Sequence, residues 1–216
     1  MEIKTVMVTS KNDKGMKKSI TLSDGTFIKL NADSEIKFPK KFIGETREVY
    51  LKGEAFFDVK KDTAHPFIIH SGEISTTVKG TSFNIKAFKN EETIKVSVVT
   101  GIVEVENKVS SKLTLIPNEE AVYNINDKNI IKRPFDLNEI AWREGVLYFK
   151  DCMLGEMITK LERWYGVEFI IENKKVAIKN GYTGKFQNES LNEVLENISF
   201  AGNFQFKMEG KKVYIF

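Results

Sequence analysis

Cysteine, histidine and arginine are scarce in this 216-residue chain, which carries one Cys (Cys152), two His (His65 and His70) and four Arg (Arg47, Arg133, Arg143 and Arg163). One thiol closes no intrachain disulfide, so cysteine usage leaves the redox compartment open. His65 and His70 lie five positions apart in a segment that reads as strand, which turns them to opposite faces and excludes a shared metal there. Zinc, P-loop, dinucleotide and hydrolase motifs are absent. The adjacent acids Glu91-Glu92 and Glu119-Glu120 stand beside Asn90 and Asn118 and read as solvated turn tips, without the facing geometry of a glycosidase pair. This inventory argues against an enzyme, and no metal or cofactor is expected.

Charge of one sign is missing too. The 33 basic residues, nearly all Lys, are offset by 30 acidic ones, for a net charge of +3. Lys and Glu alternate throughout and guanidinium forks are rare, which excludes an ordinary nucleic-acid reader. Uninterrupted apolar runs, such as Val146 to Phe149 and Phe169 to Ile171, fall far short of the ~20 residues of a membrane span. A hydrophobic fraction of 41% is nonetheless enough for a sizeable core, and the length suits two small domains.

What is present follows two grammars. From Met16 to about Asn126 short apolar alternations are split by Gly, Asn and Asp, with no helical period. Leu51-Lys52-Gly53, Val78-Lys79-Gly80 and Val99-Thr100-Gly101 repeat one pattern, but their glycines are 27 and 21 residues apart, too irregular for a strict solenoid. The expectation for residues 1–132 is an all-β sandwich of jelly-roll type, with a short β-solenoid as the alternative. Phe56, Phe57, Phe67 and Phe83 are its core candidates. A connector over 133–145 contains Pro134 and ends near Trp142-Arg143.

Residues 146–216 read as a small α+β domain. Leu154, Met157, Ile158, Leu161, Trp164 and Tyr165 recur at helical spacing between two strands, which places Trp164 and Tyr165 on the core stripe. A second copy follows at a constant offset of 37 residues: Phe149, Leu154, Met157 and Leu161 match Phe186, Leu191, Val194 and Ile198, and Val167 and Phe169 match Phe204 and Phe206. Two βαβ units with helices over 153–165 and 190–200 are predicted, each helix packing on its own strands. Ser190 and Glu193 form a capping box for the second helix. Met153 holds the equivalent place in the first, so Asp151 is the expected cap there and Cys152 falls in the first helical turn, read as a packed side chain.

Leu22-Ser23-Asp24-Gly25-Thr26, Leu30-Asn31, Gly53-Glu54-Ala55-Phe56-Phe57, Pro66-Phe67, Gly80-Thr81-Ser82-Phe83-Asn84 and Gly101-Ile102-Val103-Glu104-Val105 are specific in combination. Together they resemble the FecR family of transmembrane anti-sigma regulators. Lys79 departs from the apolar residue often found before Gly-Thr. Trp142-Arg143-Glu144-Gly145, Leu161-Glu162-Arg163-Trp164-Tyr165 and Thr183-Gly184-Lys185-Phe186 resemble the C-terminal domain of Bacteroidetes-type members, which is similar to the short N-terminal domain of secretins and TonB-dependent receptors.

The resemblance implies a periplasmic, signal-receiving part whose anchoring helix lies upstream of Met1. Its partner is then the periplasmic signalling domain of an outer-membrane TonB-dependent receptor, and a sigma factor is reached only through a cytoplasmic segment outside this sequence. A carbohydrate-binding or adhesive β-sandwich is the competing class, and a hydrolase the third. Two places are singled out. The terminal strand Lys212, Val213, Tyr214, Ile215 and Phe216 is expected to offer a free edge for strand addition. At Gly80-Thr81 a strained turn would let the Thr hydroxyl attack the preceding carbonyl, shift the chain from the amide to an ester as the C–N bond breaks, and so cut the backbone once the ester is hydrolysed.

Overall fold

The computed structural model describes residues 6–108, 112–172, 176, 178 and 181–216. Two units separate within it: residues 6–12 with 17–140, and residues 13–16 with 141–216.

The first unit is built from β1 (Met7–Asn12), β2 (Lys18–Thr21), β3 (Phe27–Leu30), β4 (Ser34–Pro39), β5 (Arg47–Asp58), β6 (Phe67–Ser71), β7 (Ile74–Val78), β8 (Ser82–Ala87), β9 (Thr93–Thr100), β10 (Val103–Asn107), β11 (Lys112–Leu115), β12 (Glu119–Asn124) and β13 (Ile130–Pro134). One sheet has the order β1-β4-β5-β6-β7-β10-β11, the other β2-β3-β5-β8-β9-β12-β13. Hairpins are dealt alternately to the two sheets, and among the described residues of this unit only the pairing of β5 with β6 is parallel. The result is the expected β-sandwich.

Strand β5 belongs to both sheets. Its first half, through Lys52, pairs with β4 and β6, and its second half, from Gly53, pairs with β3 and β8. The change of partners falls at Gly53, whose φ is +92°; a Cβ there would stand 2.3 Å from Ser34 Oγ and 2.8 Å from Ser34 Cα. Only glycine accepts both that backbone angle and that approach.

Alternation sends one face of each strand inward. Ile28, Leu30, Ile36, Phe57, Phe67, Ile69, Phe83, Ile85 and Leu115 are fully buried between the sheets. Phe57 stacks on Phe83 at 5.3 Å and leans on Phe67 at 6.5 Å. Each such ring contributes about 1.5–3 kcal/mol through removal of apolar surface from water. Phe56, one residue along, points to the other face of β5 and is buried apart from this cluster. A short 3-10 helix, Leu137–Glu144, follows β13 within the segment read as a connector.

The second unit contains β14 (Val146–Cys152), α1 (Leu154–Tyr165), β15 (Glu168–Ile171), β16 (Tyr182–Gln187), α2 (Leu191–Gly202), β17 (Phe206–Glu209) and β18 (Lys212–Ile215). The helices begin and end 37 residues apart, and so do their caps: Met153 matches Ser190, and the left-handed Gly166 matches the left-handed Asn203. Leu154, Met157 and Leu161 of α1 and Leu191, Val194 and Ile198 of α2 close over one core with Phe149, Phe186, Val213 and Ile215.

Pairing corrects one part of the expectation. The strands of each βαβ unit do not pair with each other: β14 pairs antiparallel with its counterpart β16, while β15 and β17 flank β18, parallel and antiparallel respectively. The duplicated order therefore folds as two interlocked halves on two small sheets. Asp151 is not the first helix's cap either. It has φ +48° and accepts from Thr183 Oγ1 at 3.3 Å, while extended Met153 takes the cap position and receives only the backbone half of a box, its N–H donating to Glu156 Oε2 at 3.3 Å.

Candidate functional site

The Gly80-Thr81 turn lies at the mouth of β8. Gly80 has φ +145°, and a Cβ on it would come within 2.7 Å of the Lys61 Cα. On the opposite side, Gly101 at φ +77° leaves room for Thr81 Oγ1 and the Gly80 carbonyl oxygen, which would stand 2.7 and 3.0 Å from a Cβ at that position. Two glycines thus let this peptide pass between two backbones. Val59 N–H donates to Thr81 O and Asp62 N–H to Lys79 O, pinning the turn to the segment after β5. The Thr81 side chain is buried, and its hydroxyl donates to Ile102 O at 3.0 Å. Among the described residues no imidazole or carboxylate hydrogen-bonds that hydroxyl, so the arrangement holds the nucleophile without activating it.

The terminal strand is placed differently from expectation. β18 is the central strand of its sheet, with hydrogen-bonded neighbours on both sides, and Val213 and Ile215 face the core. Lys212 and Phe216 are exposed and Tyr214 half-buried, but the strand offers no free edge. In space the earlier strands β15 and β17 cover both of its edges.

That leaves β17 as an outer strand. Phe216 N–H donates to Gln205 O, and antiparallel pairing repeats every second residue, so Lys207 and Glu209 share this inward pairing. The N–H groups of Phe206 and Met208 therefore face away from β18.

The histidines stand apart. His65, on the exposed loop before β6, has Nδ1 2.9 Å from Asp62 Oδ2, and the hydrogen bonds His65 supplies hold the Asp62 carboxyl below its usual range. His70 bridges Glu48 Oε2 and Ser75 Oγ, each at 3.1 Å, and stacks on Tyr50 at 4.9 Å. Cys152 ends β14 and does not enter the helix; it is buried, with Lys160 Nζ 3.4 Å from its sulfur. Trp164 and Tyr165 pack half-buried on the second core. Tyr165 OH donates to Glu189 O at 2.9 Å, and burial together with Glu189 and Glu193 pushes its phenol up to about 12.

Glu120 is no solvated tip. It is 1% exposed on β12, accepting from Ser97 Oγ at 3.1 Å and Arg133 Nε at 2.6 Å, whereas Glu91 pairs with Lys86 as a surface acid does. Two further polar groups escaped the sequence reading. Glu54 is buried, with Asn31 and Asn84 donating to its two oxygens at 2.8 and 3.0 Å and Ser34 Oγ accepting its N–H at 2.8 Å. Its signal was a lone carboxylate inside the apolar run Gly53–Phe57. Nearby, burial, with Lys29 adding to it, pulls the Lys17 ammonium down to about 8, against the opposing pull of Glu54. Arg47, also buried, joins Asp24, Lys60 O and His65 O, with its guanidinium carbon over the ring of Phe67 at 5.2 Å from the centroid. These groups hold loops and sheets together.

No helix among the described residues is long and apolar enough to cross a membrane. The family model described as FecR protein matches residues 6–104, and the one described as FecR, C-terminal matches residues 146–215. Two crystal structures, at 2.50 and 1.65 Å resolution, of a chain assigned as an anti-sigma factor from Parabacteroides distasonis are similar at 33% identity and a TM-score of 0.87. The similarity covers 98% of this chain and 99% of that one in the first, and 97% and 98% in the second. Comparison with curated proteins gives no match.

Proposed function

We propose, from the premise that this chain belongs to the FecR family of anti-sigma regulators, that it is the periplasmic, signal-receiving part of such a regulator. It relays the state of an outer-membrane TonB-dependent transducer to an extracytoplasmic-function sigma factor through protein contacts, without catalysing a reaction. An inner-membrane helix anchors it. One observation carries the reading: a FecR-type β unit and a FecR C-terminal unit occur in one chain, and a chain assigned as an anti-sigma factor is similar over nearly its whole length.

The transducer's signalling domain docks on the α+β unit by adding a strand to β17, whose Phe206 and Met208 N–H groups point outward. Met208 itself is 38% exposed. Titration of the chain with the signalling domain of the neighbouring TonB-dependent receptor tests both levels. Saturable binding is expected, lost in Met208→Pro, which removes an outward donor, and kept in Met208→Ala. Absence of binding by the unaltered chain would overturn the regulatory reading; equal binding by both variants would overturn only the docking edge.

A further inference from the structure

Between β4 and β5 the chain runs Lys40-Lys41-Phe42-Ile43-Gly44. Phe42 turns inward, its ring meeting Phe67 edge-on at 5.8 Å, and ties the loop to the core. Ile43 is left outside at 54% exposure. Lys40 and Lys41 are exposed, and among the described residues no ion pair engages either. The beginning of β1 lies alongside: Lys40 N–H donates to Val6 O at 2.8 Å, and Met7 is in register with Pro39. Val6 is 64% and Met7 37% exposed. One corner of the β unit thus gathers three outward apolar side chains and two uncommitted ammonium groups, with the exposed Glu45 the nearest acid in sequence.

Five side chains fall well short of the roughly 20–30 residues a side that a stable protein interface uses. A bilayer surface asks for less, because apolar tips enter the boundary between headgroups and acyl chains while lysines meet phosphates that are dense and laterally mobile. We propose that this corner rests on a membrane surface bearing anionic phosphate headgroups, with Ile43 and Val6 reaching the acyl boundary and Lys40 and Lys41 on the phosphates. The inference goes beyond the regulatory reading and rests on it only for which membrane is met.

The test is co-sedimentation of the full chain with vesicles of phosphatidylcholine alone and of phosphatidylcholine mixed with phosphatidylglycerol. Binding to the mixed vesicles is expected, weakened by salt and not displaced by inorganic phosphate. Lys40→Gln with Lys41→Gln should lower partitioning by about 25-fold, about fivefold for each lysine near the surface. Ile43→Ser should lower it further, while Lys112→Gln, on β11, leaves it unchanged. All these positions are exposed, so thermal unfolding should not move. No partitioning to anionic vesicles, equal partitioning to neutral ones, or unchanged partitioning of the double variant would each overturn the proposal. None of these outcomes bears on receptor binding, which is read separately in solution.

Discussion

Arg47 Nη1 lies 2.6 Å from Asp24 Oδ2, with both side chains largely buried, and the same guanidinium donates to the carbonyls of Lys60 and His65. Asp24 also receives Thr26 N–H and Oγ1. One ion pair therefore fastens the turn after β2 and the loop after β5 to the start of β5. Asp24→Ala, which strands the Arg47 charge, should cost about 3–5 kcal/mol in urea unfolding. Asp24→Leu combined with Arg47→Met should cost less than the sum of the single changes, because no charge is then left buried without a partner.

Gly53→Ala should destabilise the β unit by about 2 kcal/mol or more, from the left-handed backbone and the collision with Ser34. Ser34→Ala should not rescue it, because Ser34 Cβ and Cα are themselves 2.7 and 2.8 Å from the added carbon. Urea midpoints of the two single variants and the double variant check this.

Met153→Ser should stabilise the second unit by about 1 kcal/mol. Met153 is already extended at the cap and half-exposed, and Glu156 already accepts its N–H, so a hydroxyl supplies the missing half of the box found at Ser190 and Glu193. Ser190→Ala should cost a similar amount. Thermal unfolding of both variants reads the difference.

Alkaline stability should fall between pH 10 and 12. Tyr123 OH donates to Glu73 Oε2 at 2.5 Å, and that bond, with burial and the Glu73 charge, pushes the phenol up to about 12; Tyr165 is pushed equally high by burial. A phenol held protonated in the folded state contributes stability that is complete below the unfolded value of 10 and is lost as pH approaches 12. Tyr123→Phe should make the decline shallower in a pH series of urea unfolding. At the acid end the same bond holds Glu73 below its usual range, so its contribution is present above the ordinary carboxylate range and fades as pH falls.

The purified protein should give one uncleaved mass. Thr81 Oγ1 donates to Ile102 O and has no base among the described residues, so the hydroxyl is held as a structural donor. A fragment pair cut between Gly80 and Thr81 and abolished by Thr81→Ala would contradict this, whereas cleavage surviving that change would belong to a protease.

The all-β and α+β grammars, the 37-residue duplication, both helices and the Ser190 cap were legible in the sequence, because period, turn residues and capping chemistry are local. A helix declares itself through side chains three and four apart, and a hairpin through its glycines. What tertiary structure alone decided was partnership. Strand period says which face is buried and not which neighbour pairs, so Lys212 to Phe216 looked like an edge until β15 and β17 enclosed them. Glu120 looked like a surface acid and Glu54 drew no reading of its own, until Arg133 and Ser97 converged on the first and Asn31 and Asn84 on the second from other strands and loops. Burying a carboxylate is tolerable only with such donors in place, and their arrival depends on how sheets fold over one another, which no stretch of local sequence encodes.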